Sequence, residues 1–306
     1  TARGGAFKEQ FGSSTSIRFE GNIAGVSKDD VLNTAKVNEL HDAGVLTDVI
    51  YLDRKLEGEN QAVEVGANGI TDSVGFAGIK DATSIAVKDG KKLVLVGEAG
   101  NAAFEIAGVD TTVTGAGSTL ALGSLGLQKS TDWQGTLKGV TVENGGALDV
   151  VAGKYTLDGD LSIQAGTLTN KGELTVDALT GSNVQLTNDN TLTAKNGAQI
   201  SGVVTNNGTL NVTGDMTFNS DSSNFTNNGS AIIAGDMTLS GTLTNGAQGV
   251  IETNTMAITG QLNNSGRIEA SDDSTLDGIL RNTGTINLFD KDMTVGSAGR
   301  LDNSGL

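Results

Sequence analysis

The sequence has no cysteine and no proline, and it has a single histidine and a single tryptophan among 306 residues. Without cysteine the chain can form no disulfide, and thiol nucleophiles and thiolate metal sites are excluded. Without proline every residue keeps a backbone N–H, which suits a chain whose residues mostly lie in hydrogen-bonded β ladders. The two absences favour a sheet-rich architecture and remove cysteine chemistry from the candidate functions.

Basic residues and long apolar runs are also scarce. Lysine and arginine number 20 against 36 aspartates and glutamates, which gives a formal net charge of −16. A surface this acidic argues against DNA, RNA and anionic lipid as partners. No stretch approaches the ~20 consecutive apolar residues that a membrane-spanning helix requires. The balance of charge suits a soluble protein outside a cell.

Both ends of the sequence indicate a fragment. It starts at Thr1 without a methionine or a signal peptide, and it stops at Leu306 inside a repeated unit. We therefore expect the chain to be part of a longer, processed protein.

A short phrase, an apolar anchor followed two residues later by asparagine, recurs eight times from Leu168 to the end of the chain. The steps between successive anchors are 18, 18, 21, 18, 19, 18 and 21 residues. The asparagines are Asn170, Asn188, Asn206, Asn227, Asn245, Asn264, Asn282 and Asn303. A nearly fixed period of this size is typical of a solenoid, in which each repeat packs only on its neighbours.

Within each repeat apolar and polar residues alternate, which is the period of a strand with one buried face. A second slot has the same register, because all four methionines open similar apolar phrases: Met216, Met237, Met256 and Met293. Each coil then holds about three short strands. The sequence predicts an all-β fold, a right-handed parallel β-helix (solenoid), with a small helix-containing insertion near the N-terminus. The right hand is an analogy with the commonest β-helices, and the methionines are expected inside.

The recurring asparagine predicts a ladder along the solenoid axis. Side-chain amides in register can hydrogen-bond to the coil above and to the coil below, as in other stacked sheets. Glycine follows the asparagine two residues later in six of the eight phrases, with Asn190 and Ala247 as the exceptions. Asparagine and glycine both tolerate positive φ, so the pair is also expected to form the turn in that conformation.

Four segments follow from these patterns. Residues 1–26 are expected to hold the first coil or coils, and residues 27–86 an insertion with early coils. A helix is predicted over 27–44, with His41 in its last turn. A histidine there interacts favourably with the helix dipole and stabilises the C-terminal end of the helix. Residues 87–167 are expected to form longer coils with loops, anchored by Val87, Thr114 and Val142 at steps of 27 and 28. Residues 168–306 are expected to form the regular coils.

A search for catalytic chemistry finds little. Asp215 and Asp236 fall in equivalent slots of neighbouring coils and resemble a carboxylate pair of the kind that glycosidases use. Each, however, stands between a glycine and a strand, where a solvated turn acid is expected. His41 is the only base for a serine-protease triad, and no Gly-Asp-Ser-Gly nucleophile phrase occurs. We expect no cofactor and no metal. Trp133 is the one candidate ligand anchor, for a sugar or a protein, with capping of the apolar interior as an equal alternative.

Two phrases near the start, Gly4-Gly5-Ala6-Phe7 and Phe19-Glu20-Gly21-Asn22, resemble paired phrases of β-helical proteins secreted by the autotransporter route. With the coils from Leu168 and the lack of cysteine and proline, the chain resembles the passenger domain of a Gram-negative (type V secreted) autotransporter adhesin. The resemblance covers the solenoid well and the 27–86 insertion poorly.

The resemblance implies export through the outer membrane and display at the bacterial surface. It also implies non-catalytic adhesion, aggregation or biofilm formation. The expected partner is a host extracellular-matrix protein or glycan, or another copy of the chain on a neighbouring cell. Two alternatives stay open: a polysaccharide-active β-helix enzyme, and a passive stalk that presents a more N-terminal domain.

Overall fold

A computed structural model describes much of the chain and leaves some stretches out. The described residues are 17–19, 49–52, 62–66, 69–70, 84–90, 92–95, 104–105, 110–122, 134–151 and 153–306. Among them there are strands and turns and no helix. The predicted helix over 27–44, with His41, lies outside these residues, as do Trp133 and residues 4–7. The chain divides into two compact units, Thr1–Gly159 and Asp160–Leu306, and each is described by itself.

In the N-terminal unit most of the described strands pair in parallel. Two pairs are antiparallel, namely Ile17–Phe19 with Val49–Leu52, and Ala62–Gly66 with Gly69–Ile70. One parallel series is Ala62–Gly66, Ser84–Val87, Asp110–Thr114 and Val140–Glu143. A second is Val49–Leu52, Lys92–Leu95, Thr119–Leu122 and Ala147–Val150. A third is Phe104–Glu105, Gln134–Leu137 and Lys154–Leu157.

The anchor predicted at Thr114 is wrong by one residue. Val113 pairs with Val87 on one side and with Val142 on the other, and all three are 0% exposed. Thr114 lies on the opposite side of the strand, where it is half-buried. Because side chains alternate between the two faces of a strand, a shift of one residue exchanges inside and outside.

The C-terminal unit is a parallel β-solenoid in which each coil adds one strand to each of three stacks. The first stack holds Leu161–Gln164, the first halves of Leu179–Asn188 and Ala198–Asn206, Met216–Phe218, Met237–Leu239, Met256–Ile258, Ser274–Leu276 and Met293–Val295. The second holds Thr167–Asn170, the second halves of the same two long strands, Asn224–Asn227, Thr242–Asn245, Gln261–Asn264, Ile279–Asn282 and Arg300–Asn303. The third holds Glu173–Val176, Thr191–Ala194, Thr209–Val212, Ser230–Ile233, Val250–Thr253, Arg267–Ala270 and Thr285–Asn287. The predicted parallel β-solenoid is confirmed, and its right-handed winding stays a prediction.

Apolar side chains from all three stacks fill the interior of this unit. Met216, Met237 and Met256 pair in register and are at most 1% exposed, as the recurring methionine phrase predicts. Met293, in the last strand of the first stack, pairs with Ser274 of the preceding coil and is partly exposed. Burial of each large apolar side chain contributes about 1.5–3 kcal/mol, so the interior is the main source of the unit's stability.

The glycine of the asparagine phrase is required because neighbouring coils pack closely there, and not because the backbone has a positive φ. None of the ladder asparagines, and none of the glycines that follow them, is among the described residues with positive φ, so that part of the prediction is wrong. A Cβ placed on Gly208 would instead overlap the carbonyl oxygen of Asn190, and one placed on Gly229 would overlap that of Gly208. The corner therefore stacks backbone directly on backbone, which leaves no room for a side chain.

We expect Gly229→Ala to destabilise the solenoid by about 1–3 kcal/mol, because the new methyl group must push two coils apart. Urea unfolding followed by circular dichroism measures the change. Asn190→Ala is the matched control, since Asn190 occupies the same slot and already carries a Cβ. It loses two exposed hydrogen bonds, one donated to the carbonyl oxygen of Lys171 and one accepted from the hydroxyl of Thr191. Equal midpoints for the Gly229→Ala variant and the parent chain would contradict the packing role.

Candidate functional site

The eight predicted asparagines form one continuous file along the second stack. In the first seven, the side-chain Nδ2 donates to the Oδ1 of the asparagine in the next coil, over 2.7–2.8 Å. The first seven are at most 2% exposed. Asn303, in the last coil, is exposed.

Each of the first seven asparagines also fixes the corner between the second and third stacks. Asn206 shows the arrangement: its Nδ2 donates to the carbonyl oxygen of Ser230, 2.8 Å away, where the third strand of the next coil begins. The same Nδ2 lies 3.3 Å from the carbonyl oxygen of Gly208 in its own coil. The amide thus joins two coils and two stacks at once. Because these side chains are buried and fully hydrogen-bonded, they hold the solenoid together and are not available to a ligand.

A second, shorter polar file runs outside the first at the same corner. Asn207 donates from Nδ2 to Oδ1 of Asp189 over 2.9 Å, and Asn228 donates to Oδ1 of Asn207 over 3.0 Å. All three side chains are exposed. Their polar atoms already form hydrogen bonds with the neighbouring coil, so few hydrogen-bonding groups at this corner remain for a ligand.

Asp215 and Asp236 lie at the corner before the first stack, and each bonds to the coil that follows. Oδ1 of Asp215 accepts the backbone N–H of Asp236 over 2.9 Å. Oδ1 of Asp236 accepts from the side-chain amide of Asn254 over 2.8 Å. These contacts are those of turn acids that tie one coil to the next.

Asp272 and Lys291 form an ion pair at the same corner, with Nζ 3.0 Å from Oδ1. The hydrogen bond from Lys291 holds the pKa of the Asp272 carboxyl below its usual value, and the carboxylate raises the pKa of Lys291. Both side chains are largely exposed, so the pair adds little to stability. Within the described residues no group of three or more histidines, cysteines, aspartates or glutamates is placed to hold a metal ion.

The outer surface of the second stack differs from these corners. Over six coils, from Thr167 to Asn263, two outward-facing positions of each strand form what we call the polar face. It consists of Thr167, Thr169, Gln185, Thr187, Val203, Thr205, Asn224, Thr226, Thr242, Thr244, Gln261 and Asn263.

Five threonines stand in register on the polar face, at about 4.8 Å per coil: Thr169, Thr187, Thr205, Thr226 and Thr244. The face is not recognisable from the order of residues along the chain. The signal was present, since its members are the residues immediately before and after each apolar anchor. Threonine beside an apolar anchor is common in any β-strand, so these residues gain meaning only when the register between coils is known.

Among the described residues no helix is long and apolar enough to span a membrane. Trp133, the predicted ligand anchor, is outside the part of the chain that the structure describes. Compared with known proteins, the chain matches no family model, no curated protein and no solved structure at a significant level.

Proposed function

We propose that this chain is a surface-displayed, non-catalytic adhesion and self-association domain, a passenger of the autotransporter kind on a Gram-negative bacterium. The observation that carries the proposal is the repetition of polar side chains along a flank of the C-terminal unit. Such a flank offers the same weak contact at every coil. Weak contacts that repeat in register add up to strong attachment when many molecules are displayed together.

Two further observations support the proposal. The phrases at residues 4–7 and 19–22 resemble those of exported β-helical adhesins, and the lack of cysteine suits a chain that must stay unbridged before it crosses an outer membrane. The one pair of acids that resembled a catalytic dyad, Asp215 and Asp236, is engaged in coil-to-coil hydrogen bonds. The partner is then a host matrix protein or glycan, or another copy of the chain.

The test compares cells that display this chain on an outer-membrane barrel with cells that display the barrel alone. We expect the displaying cells to adhere to matrix-coated surfaces or to clump several-fold more, because each cell presents many copies. The Asp215→Ala/Asp236→Ala variant is expected to keep this activity. Release of oligosaccharide from a polysaccharide panel by the purified chain, and its loss in the double variant, would replace the proposal with an enzyme.

A further inference from the structure

Asparagine followed directly by glycine is a reactive pair, and this chain contains six of them. The asparagines are Asn68, Asn144, Asn196, Asn207, Asn228 and Asn245. In such a pair the backbone nitrogen of the glycine can attack the side-chain carbonyl carbon of the asparagine, because glycine has no Cβ to obstruct the approach. The structure describes every one of these asparagines except Asn68. The hydrogen bonds of each pair determine whether its nitrogen is free to react.

Three of the pairs are held by hydrogen bonds at both reacting groups. Their glycine N–H groups donate to backbone carbonyl oxygens of the preceding coil over 2.8–3.1 Å: Gly208 to Asn188, Gly229 to Asn206 and Gly246 to Asn227. Their side-chain amides are bound as well, those of Asn207 and Asn228 in the exposed file and that of Asn245 in the buried ladder. The backbone and the side-chain bonds must both open before the nitrogen can attack, so the fold protects these pairs.

The other two pairs, Asn144-Gly145 and Asn196-Gly197, have neither form of protection. Both asparagines are exposed, while Gly145 is exposed and Gly197 is buried. Within the described residues neither glycine N–H has a hydrogen-bond partner. The side chain of Asn196 has none there either, and that of Asn144 donates one long bond, from Nδ2 to Oγ1 of Thr114 over 3.3 Å. In these two pairs both reacting groups are therefore free.

We propose that Asn144 and Asn196 are sites of self-modification, at which the chain deamidates through a cyclic imide. The glycine nitrogen gives its proton to water and bonds to Cγ of the asparagine, the Cγ–Nδ2 bond breaks, and the nitrogen leaves as ammonia. Water then opens the ring. Cleavage of the new N–Cγ bond gives aspartate, and cleavage of the original backbone C–N bond gives isoaspartate. Water is the only co-reactant, and the inference does not depend on the proposed function.

The positions of the two sites determine what the reaction changes. Either product replaces a neutral amide with a carboxylate, and isoaspartate also lengthens the backbone by one carbon atom. Asn144 and Asn196 each lie in a corner between two strands, so the extra atom leaves the pairing of those strands in register. The same reaction at Asn245 would remove an amide from the buried ladder. The fold thus confines the reaction to corners, where each event adds negative charge as the molecule ages.

The experiment incubates the purified 306-residue chain at mildly alkaline pH in water enriched in oxygen-18. Digestion with pepsin at acid pH, where imide formation stops, and mass spectrometry of the peptides then measure conversion at each asparagine. Ring opening by water introduces the heavy oxygen, which identifies the imide route. We expect Asn144 and Asn196 to convert at least about tenfold faster than the three protected asparagines, because those must first break their hydrogen bonds.

The same chain unfolded in urea is the control for the role of the fold. There the five pairs are expected to convert at similar rates, since glycine follows each asparagine and no coil protects it. Asn144→Gln and Asn196→Gln, checked for folding by circular dichroism, should each abolish the acidic product of its own site alone, because glutamine would have to close a larger ring. An exposed asparagine that converts no faster than the protected ones in the folded chain would overturn its assignment. An unchanged ranking in urea would overturn the role of the fold.

Discussion

Asn206→Leu is expected to destabilise the C-terminal unit by about 2–5 kcal/mol, since several buried hydrogen-bonding groups lose their partner together. Leucine has nearly the same size but cannot replace the amide. The Oδ1 of Asn227 and the carbonyl oxygen of Ser230 lose their donor, and the amide of Asn188 loses an acceptor. Unfolding in urea, followed by circular dichroism, measures the loss.

Asn207→Leu is the control for that experiment. It makes the same substitution one residue later, in the exposed file that bonds Asp189 to Asn207 and Asn207 to Asn228. Because water replaces the lost partners there, we expect a change within about 0.5 kcal/mol. Equal destabilisation by the two variants would mean that burial of the inner file contributes nothing beyond its hydrogen bonds.

Phe225→Ala is expected to lower the free energy of unfolding by about 3–5 kcal/mol, as is usual when a large buried aromatic side chain is removed. Its ring stacks on that of Phe218, with centroids 5.0 Å apart and planes at 20°, and both side chains are 0% exposed. The substitution leaves a cavity beside the ladder residue Asn227, which lies two positions along the same buried face of the strand. The midpoint of urea unfolding gives the measurement.

Phe225→Leu separates the cavity from any special role of the aromatic ring. The equivalent slot in the next coil is Leu243, so this backbone already accommodates leucine. We expect the leucine variant to lose less than about 1.5 kcal/mol. A Phe225→Leu variant as unstable as Phe225→Ala would show that the stacked pair, and not the filled volume, determines stability here.

Much of the fold could be predicted from the sequence because its two strongest signals are strictly periodic. The anchors before each asparagine and the methionine slots both recur with the coil, so three strands per coil followed from spacing alone. Thr114 shows where this reasoning fails. In a longer coil with a less regular phrase, the anchor was placed one residue late, and the period of two moved it to the wrong face.

The role of glycine shows a second limit of sequence reasoning. Glycine two residues after asparagine is typical of a turn with positive φ, and the sequence alone offers no reason to reject that interpretation. The contact that requires glycine at position 208 comes from Asn190 in the coil beneath. It depends on the distance between coils, which no local pattern encodes. The polar face could not be predicted for the same reason, since its residues become neighbours only when the coils stack.

The alignment of identical partners from coil to coil affects how such a gene can change. Asn170 pairs with Asn188, and Asn188 pairs with Asn206 in the same register. If recombination removed residues 188–205, Thr187 would join Asn206, and Asn170 would meet an asparagine in the same place. Deletions or duplications of one whole coil therefore preserve every class of contact. A few extra residues are accommodated where they fall in a corner, as in the 21-residue step from Val204 to Phe225, whereas the same change inside a strand shifts its register. Changes in length are thus expected as whole coils or as short insertions at the corners, and not inside the strands.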